Sequence, residues 1–144
     1  MPLSTPASPA PVATRPHDAS SLPSGVLDEA LAAAGVFAAL HVSADGLLLD
    51  SAGALHRDTA EAAAAALTAA TAAIRGCGTA IAAPGLARPG LSRFCGEFAT
   101  LTLLAQPLAD GSLVALAGDG AADLAAMDLA LSDVAAEVRR RSSR

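Results

Sequence analysis

The chain has 144 residues, of which 53% are hydrophobic and 39 are alanine, and its formal net charge is −5, so it is long enough for one domain with a buried core. All nine basic residues are arginine, and the lack of lysine excludes phosphate-loop, Schiff-base and kinase-type enzymes, each of which requires one. Three phenylalanines are the only aromatic residues, and together with the negative charge they argue against a nucleic-acid partner.

The first 23 residues contain six of the nine prolines, interleaved with Ser, Ala and Thr, and only Arg15, His17 and Asp18 carry titratable side chains. Such a segment buries too little apolar surface to offset the entropy lost on ordering. We therefore predict a disordered arm over residues 1–23, a folded domain over 24–141 and a short tail over 142–144.

The folded part is predicted to open with a helix and a hairpin. Ser24 is a candidate N-cap, and the apolar period that follows it ends at Gly35, a typical C-terminal glycine. Two apolar segments, 36–43 and 47–51, flank the dipeptide Asp45-Gly46. This pattern predicts two antiparallel strands joined by a tight turn.

A long alanine-rich helix is predicted next. Asp58 and Glu61 have the spacing of a capping box, and the helical pattern runs over 59–74. Arg75 and the glycines up to Gly78 are expected to end it.

Three further strands are predicted after a loop rich in glycine and proline. They cover residues 91–95, 98–106 and 112–117, with a turn at Gly96-Glu97 between the first two. Asp119 is a candidate cap for the last helix, whose apolar residues recur at helical spacing: Leu124, Met127, Leu131, Val134 and Val138. The predicted order is α-β-β-α-β-β-β-α, which is an α+β fold.

Cysteine and histidine spacing gives no sign of a metal or cofactor site. Cys77 and Cys95 are too few for a disulfide framework, and no histidine pair has metal-ligand spacing. The longest apolar run is shorter than the roughly 18 residues that span a membrane, and no secretory signal pattern opens the chain. We therefore expect a cytoplasmic protein with reduced thiols, no membrane span and no cofactor.

Three stretches give the chain a family resemblance. They are the hairpin VFAALHVSADGLLLDSAG, the helix start HRDTAE and the closing ADGSLVALAGDGAADLAAMDLALSDVAAEV. In this order they resemble the Roadblock (Roadblock/dynein light chain) family, including its bacterial regulators of small Ras-like GTPases. The resemblance spans about residues 24–141.

The resemblance implies a profilin-like fold with a five-stranded antiparallel sheet in the order 2-1-5-4-3, flanked by three helices. It also implies a non-enzymatic homodimer in which third strands join and middle helices lie side by side. Exposed edge strands favour such pairing because it satisfies their open hydrogen-bonding groups.

Candidate contact residues for a partner or a second copy follow from this resemblance: Ala62, Ala66, Ala70, Arg75, Arg93 and Cys95. The same residues are compatible with simpler roles, since the alanines could reflect genome composition and the arginines could be solvated charges. If third strands pair across a two-fold axis, Cys95 could face its own copy and form a disulfide on oxidation.

The remaining candidate sites are more typical of structural residues. Gly118-Asp119-Gly120 precedes a helix, where backbone amides could bind a phosphate, but without a lysine it is more typical of a turn and cap. His41 is expected to be a structural histidine within a strand, with its ring nitrogens satisfied by hydrogen bonds. No arrangement of serine or cysteine with histidine indicates a catalytic triad.

The leading functional hypothesis is a homodimeric, non-enzymatic regulator that binds a small Ras-like GTPase and modulates its nucleotide cycle. A signalling scaffold without nucleotide-state preference is the alternative. A small-molecule sensor would require a sizeable pocket, which an alanine-rich core disfavours.

Overall fold

The computed structural model describes residues 25–85, 87 and 89–144. The predicted arm, the Ser24 cap and Arg88 therefore lie outside the described residues. The elements are α1 (Val26–Ala30), β1 (Val36–Val42), β2 (Leu48–Gly53), α2 (Arg57–Ile81), β3 (Phe94–Glu97), β4 (Leu101–Pro107), β5 (Leu113–Asp119) and α3 (Leu124–Ser142).

The strands form one five-stranded sheet in the order β2-β1-β5-β4-β3, and every neighbouring pair is antiparallel. The predicted fold class and strand order are both confirmed. Helices cover the two faces of the sheet, with α2 on one side and α1 and α3 on the other.

The two faces carry separate apolar clusters because side chains alternate along each strand. Leu40 and Val42 of β1 pack towards α2, whereas Ala39 points to the side of α1 and α3. β5 behaves in the same way, with Leu113 facing α2 and Leu116 facing α3. The core therefore lies on both sides of the central pair β1–β5.

The first helix is shorter than predicted. It ends at Ala30, after which Leu31, Ala32 and Ala33 donate backbone hydrogen bonds three residues back along the chain. These tight turns carry the chain to Gly35, whose φ of 81° reverses it into β1.

The middle helix is longer than predicted, and the expected stop at Arg75 to Gly78 is wrong. Neither Gly76 nor Gly78 has a positive φ, so each only lowers helix stability, by about 1 kcal/mol, without turning the chain. The helix continues to Ile81 and ends before Pro84.

The predicted turn at Gly96-Glu97 is also wrong, since both residues belong to β3 and the chain reverses at residues 98–100. The amide of Phe98 donates to the Leu101 carbonyl at 2.8 Å, which closes this turn. Gly96 serves a close approach instead, because a Cβ there would lie 3.3 Å from the Phe98 ring.

Two predicted helix caps are replaced by other residues. The Asp119 carboxylate accepts from the Ala121 amide within a turn, and Asp123 is the residue that caps α3 by accepting from Ala125 N at 3.1 Å. At α2 the N-cap is His56, which makes no side-chain cap. Glu61 instead accepts from Arg57 at 2.7 Å, so the expected capping box does not form.

A buried histidine lies near the end of β1. His41 is 4% exposed, and neither ring nitrogen has a hydrogen-bond partner among the described residues. Burial lowers the pKa of this imidazole, and the carboxylates of Asp110 and Asp50 oppose that shift. The expectation of a buried structural histidine agrees with this position, but the expectation that its ring nitrogens are satisfied is wrong, because packing alone holds the ring.

Glycine is required at position 53, where φ is 101° and an added Cβ would lie 2.1 Å from the Phe37 carbonyl oxygen. We expect Gly53→Ala to destabilise the protein by about 2 kcal/mol or more, because backbone strain and collision add. Gly76→Ala is the matched control, since its Cβ would meet nothing within 4 Å, and it should stabilise by about 1 kcal/mol. Urea unfolding measures both variants, and equal effects would contradict this assignment.

The buried imidazole of His41 should make stability depend on pH. Because its folded-state pKa lies below the ordinary value of 6.5, the unfolded chain binds protons more readily once the pH falls below about 6.5. Stability should therefore be greatest above this pH and decrease as the pH falls through it.

The variant His41→Leu tests this dependence because it removes both buried nitrogens. Urea unfolding at pH 7.5 and pH 5.5 should show a smaller loss of stability for the variant than for the wild type. An equal loss in both proteins would assign the acid sensitivity to other groups.

Candidate partner-binding surface

Helix α2 buries only one narrow stripe against the sheet. The stripe consists of Ala60, Ala64, Leu67 and Thr71, at spacings of four, three and four residues. All four lie in the first 15 residues of the 25-residue helix. The remaining ten residues extend past the part of the sheet that supports the helix.

The apolar stripe continues along the unsupported end of α2. Ile74 and Ile81 follow Thr71 at spacings that keep them on the same face, with Gly78 between them. Ile74 is 36% exposed and Ile81 is 81% exposed. The helix face that packs on the sheet up to Thr71 is therefore exposed to solvent further along the helix.

A partly uncovered apolar area lies on the same side of the sheet. Phe94 of β3 and Leu103 of β4 are half-buried and pack against the α2-side cluster. Helix α2 contacts mainly β1 and β2, so these two outer residues are only partly covered, although Ala105 of β4 is fully buried in the same cluster. Phe98, in the β3–β4 turn, is 62% exposed, and its ring lies over Gly96.

We define the α2–β3 surface by five residues: Ile74, Ile81, Phe94, Phe98 and Leu103. It borders the outer edge of β3, which pairs with no further strand in the part of the chain that the structure describes. Large exposed apolar residues beside an open strand edge are typical of protein–protein contact sites.

The predicted alanines lie on the exposed side of α2. Ala62 and Ala66 are exposed, and Ala70 is half-buried at the flank of the buried stripe. Arg75 is exposed on the unsupported end of the same helix. The structure thus brings four of the six predicted contact residues together on one helix.

Arg93 and Cys95 lie on the opposite side of the sheet from these four. Cys95 pairs in register with Leu104, whose side chain belongs to the α3-side cluster. The Cys95 residue is exposed, yet local desolvation and the Glu97 carboxylate raise the pKa of its thiol. The neutral thiol therefore prevails at neutral pH, which disfavours thiolate chemistry.

The Arg93 guanidinium is already occupied within the chain. It donates to Gln106 Oε1 at 2.6 Å and to Ser132 Oγ at 3.0 Å, and it forms an ion pair with Asp128. These bonds tie the segment before β3 to β4 and α3. Arg93 therefore positions the edge strand in this structure rather than presenting a free charge.

The large residues of the α2–β3 surface are not among the contact residues that the sequence predicts. The predicted helix ends at Ile74, and Ile81 falls in the loop expected to follow it. Their seven-residue separation is a helical repeat, and it is the one signal in the sequence that α2 continues across its glycines.

The α2–β3 surface can make apolar contacts, and charged side chains lie near it. Arg57 and Glu61 form an exposed ion pair near the start of α2. Among the described residues, no group of three His, Cys, Asp or Glu side chains is placed to hold a metal ion. At the candidate phosphate turn, a Cβ on Gly118 would collide with Met127 and Ala122, so this glycine serves close packing.

By length and composition alone, α2 would also qualify as a membrane-spanning helix. Its buried stripe, however, packs on strands β1 and β2 as a helix of a globular domain does. The exposed apolar part of α2 is therefore better suited to contact with another protein surface.

Comparison with known proteins gives matches in structure and none in sequence. No protein-family model matches the chain, and no curated protein matches it. A Roadblock/LC7 domain from Streptomyces avermitilis superposes with a TM-score of 0.75 at 18% identity, covering 83% of this chain and 96% of that chain.

Two MglB structures are also similar. The gliding protein MglB from Thermus thermophilus superposes with a TM-score of 0.71 at 19% identity, covering 92% of this chain and 94% of that chain. An MglB described with a tetrameric arrangement has a TM-score of 0.70 at 21% identity, covering 82% of this chain and 85% of that chain. The resemblance to the Roadblock family is thereby confirmed at the level of the fold, and the chain has the Roadblock fold shared by the MglB proteins.

Proposed function

We propose that this chain is a non-enzymatic, homodimeric Roadblock-type regulator that binds a small Ras-like GTPase and modulates its nucleotide cycle. The observation that carries the proposal is the apolar stripe of α2, which continues into solvent at Ile74 and Ile81 beside an open strand edge. The Roadblock fold and the sequence resemblance supply the class of partner.

The homodimer accounts for both open features of the α2–β3 surface. Two copies that pair their β3 edges would form one continuous sheet and satisfy the open backbone groups. The unsupported end of each α2 could then cover the uncovered β3–β4 face of the other copy. The tetrameric arrangement described for an MglB is consistent with a fold that self-associates.

The apolar area is of the right order for a stable pair. Burying a large aliphatic or aromatic side chain contributes about 1.5–3 kcal/mol. Ile81 and Phe98 from both copies together contribute about 6–12 kcal/mol on this scale. This is comparable to the cost of association, about 4–15 kcal/mol, before Ile74, Phe94 and Leu103 are counted.

The GTPase would bind on the outer side of the paired α2 helices. Ala62 and Ala66 make this side flat and cost no side-chain entropy when they are covered. Arg57, Glu61 and Arg75 provide charges at the rim, where they favour one partner surface over another.

Regulation would proceed through the conformation of the partner. Alanine offers no group that could reach into a nucleotide site and act on it. The chain could change hydrolysis or exchange only by binding the GTP and GDP states with different affinity, because a ligand shifts an equilibrium only through such a difference. The same alanine surface is compatible with a scaffold that binds both states equally.

The dimer contact can be tested by placing a charge on the α2–β3 surface. We expect Phe98→Asp to raise the dimer dissociation constant about a hundredfold or more, since two buried rings are lost in each dimer. Analytical ultracentrifugation over a concentration series measures this shift.

Leu129→Asp is the matched control, because Leu129 is also a large exposed residue, at 66%, but lies on α3 across the sheet. It should leave the dissociation constant unchanged. A monomeric wild-type protein, or equal effects of the two variants, would contradict the dimer contact.

The partner can be identified by affinity capture from native lysate with GDP and with a non-hydrolysable GTP analogue in parallel. We expect a small Ras-like GTPase, identified by mass spectrometry, to be recovered preferentially in one nucleotide state. Ala62→Arg should abolish the capture while leaving thermal unfolding unchanged, since this residue is exposed.

The outcomes of this capture separate the candidate functions. Equal recovery of the GTPase with both nucleotides would contradict the regulator function and support the scaffold function. Absence of any small GTPase would contradict both the partner and the proposed function.

A further inference from the structure

A groove separates α1 from α3 on the side of the sheet opposite α2. Its volume is ≈ 500 Å³, and its walls include apolar residues of both helices. Val26 and Ala30 line it from α1, and Ala130 and Val134 line it from α3. The groove therefore has a mixed apolar and charged lining, and nothing in the described chain covers it.

The rim of the groove carries opposite charges at different positions along α3. Glu29 and Asp133 are exposed and have no cationic partner among the described residues. Further along α3, Arg140 and Arg141 line the groove and share the single carboxylate of Glu137. A peptide segment would complement this rim if its cationic and anionic side chains were as far apart as the acidic and basic residues of the rim.

Helix α1 begins at the wall of the groove. Val26 is both the first residue of α1 and part of the groove wall. Arg15 precedes Gly25 by ten residues, a span of up to about 33 Å when extended. The groove-lining part of α3, from Ala130 to Arg141, is only about 16 Å long.

The charges of this preceding segment match the rim in sign and spacing. Arg15 and Asp18 are its only arginine and its only acidic residue. In a proline-favoured extended conformation, three residues span about 9 Å. Asp133 and Arg140 are separated along α3 by about 10 Å.

We propose that residues 12–18 of this chain dock into the groove between α1 and α3. Arg15 then lies against Glu29 and Asp133, and Asp18 lies against Arg140 and Arg141. Val12 supplies an apolar side chain for the apolar part of the lining. The groove is thus an intramolecular binding site for the N-terminal arm.

The experiment uses the full chain with a nitroxide spin label at position 13, introduced by Ala13→Cys after both exposed cysteines are replaced by serine. Docking should broaden the amide resonances of Ala130 and Val134 in the ¹⁵N-labelled protein. Arg15→Glu should weaken this broadening roughly two- to fivefold, as expected for a partly exposed ion pair.

The double variant R15E/D133R restores opposite charges and should recover the broadening. Arg57→Glu makes the same change of charge on α2, across the sheet, and should leave the broadening unaffected. The combination separates a specific ion pair from a general effect of net charge.

Two results would overturn the docking. One is an absence of broadening at Ala130 and Val134, or equal effects of R15E and R57E. The other is broadening that arises only when spin-labelled and ¹⁵N-labelled copies are mixed, which would assign the groove to a second copy of the chain.

Discussion

The antiparallel pairing of β1 with β5 is the constraint on which the rest of the fold depends. Both strands are buried along most of their length and lie in the middle of the sheet. A strand that is apolar on both faces requires cover on both sides. This requirement places α2 on one face and α1 with α3 on the other.

Alanine residues determine how closely the helices approach the sheet. Ala38, Ala39 and Ala115 of the central strands are at most 1% exposed, and Ala60 and Ala64 of α2 are fully buried. Small side chains on both partners allow tight packing but supply little apolar area for each residue. Larger residues such as Leu67, Met127 and Leu131 fill the remaining space.

The small number of buried residues on α2 is related to its unsupported end. One stripe of four residues holds the helix on β1 and β2, and Phe94 of β3 and Leu103 of β4 are only half-buried on that side. The helix nevertheless carries two more isoleucines along the line of its buried stripe. Within the described part of a single copy, Ile74 stays 36% exposed and Ile81 stays 81% exposed.

Sequence patterns predicted the fold correctly where the pattern of apolar residues sets both the local conformation and the face that is buried. The hairpin of β1 and β2, with its Asp45-Gly46 turn, formed as expected. Four of the five residues of the predicted α3 stripe are buried, and only Leu124, at 46%, is exposed. The order and class of all eight elements were likewise correct. In these segments the alternation of apolar residues decides both the local conformation and the buried face.

The predictions failed where glycine was interpreted as a stop signal. Gly76 and Gly78 lie inside α2, and Gly96 lies inside β3 beneath the Phe98 ring. A glycine marks a turn only where φ must be positive, as at Gly35 and Gly53. Elsewhere a glycine allows another group to approach the backbone closely, or it only lowers the stability of a helix. Sequence alone does not distinguish these cases.

The candidate site was only partly predictable for a related reason. The alanines of α2 could be placed on one helix from their spacing, whereas the position of Arg93 depended on three partners distant in sequence: Gln106, Asp128 and Ser132. Such a network requires β4 and α3 to be packed together. Local pattern therefore identified the helix face but not the arginine that fixes the edge strand.

The two sides of the sheet offer surfaces of different character. The α2–β3 surface consists of large apolar residues beside an open strand edge, which suits a partner with its own apolar face. The groove between α1 and α3 has a charged rim, which suits a single extended segment with charges of its own.

The sheet lies between these two surfaces, so residues of the α1–α3 groove do not contribute side chains to the α2–β3 surface. An arm held in the groove would therefore leave the other side free for a second copy or a GTPase. Self-association and arm docking would then involve opposite faces of the sheet. One direct link between these faces is Arg93, which precedes β3 and donates to Gln106 of β4 and Ser132 of α3.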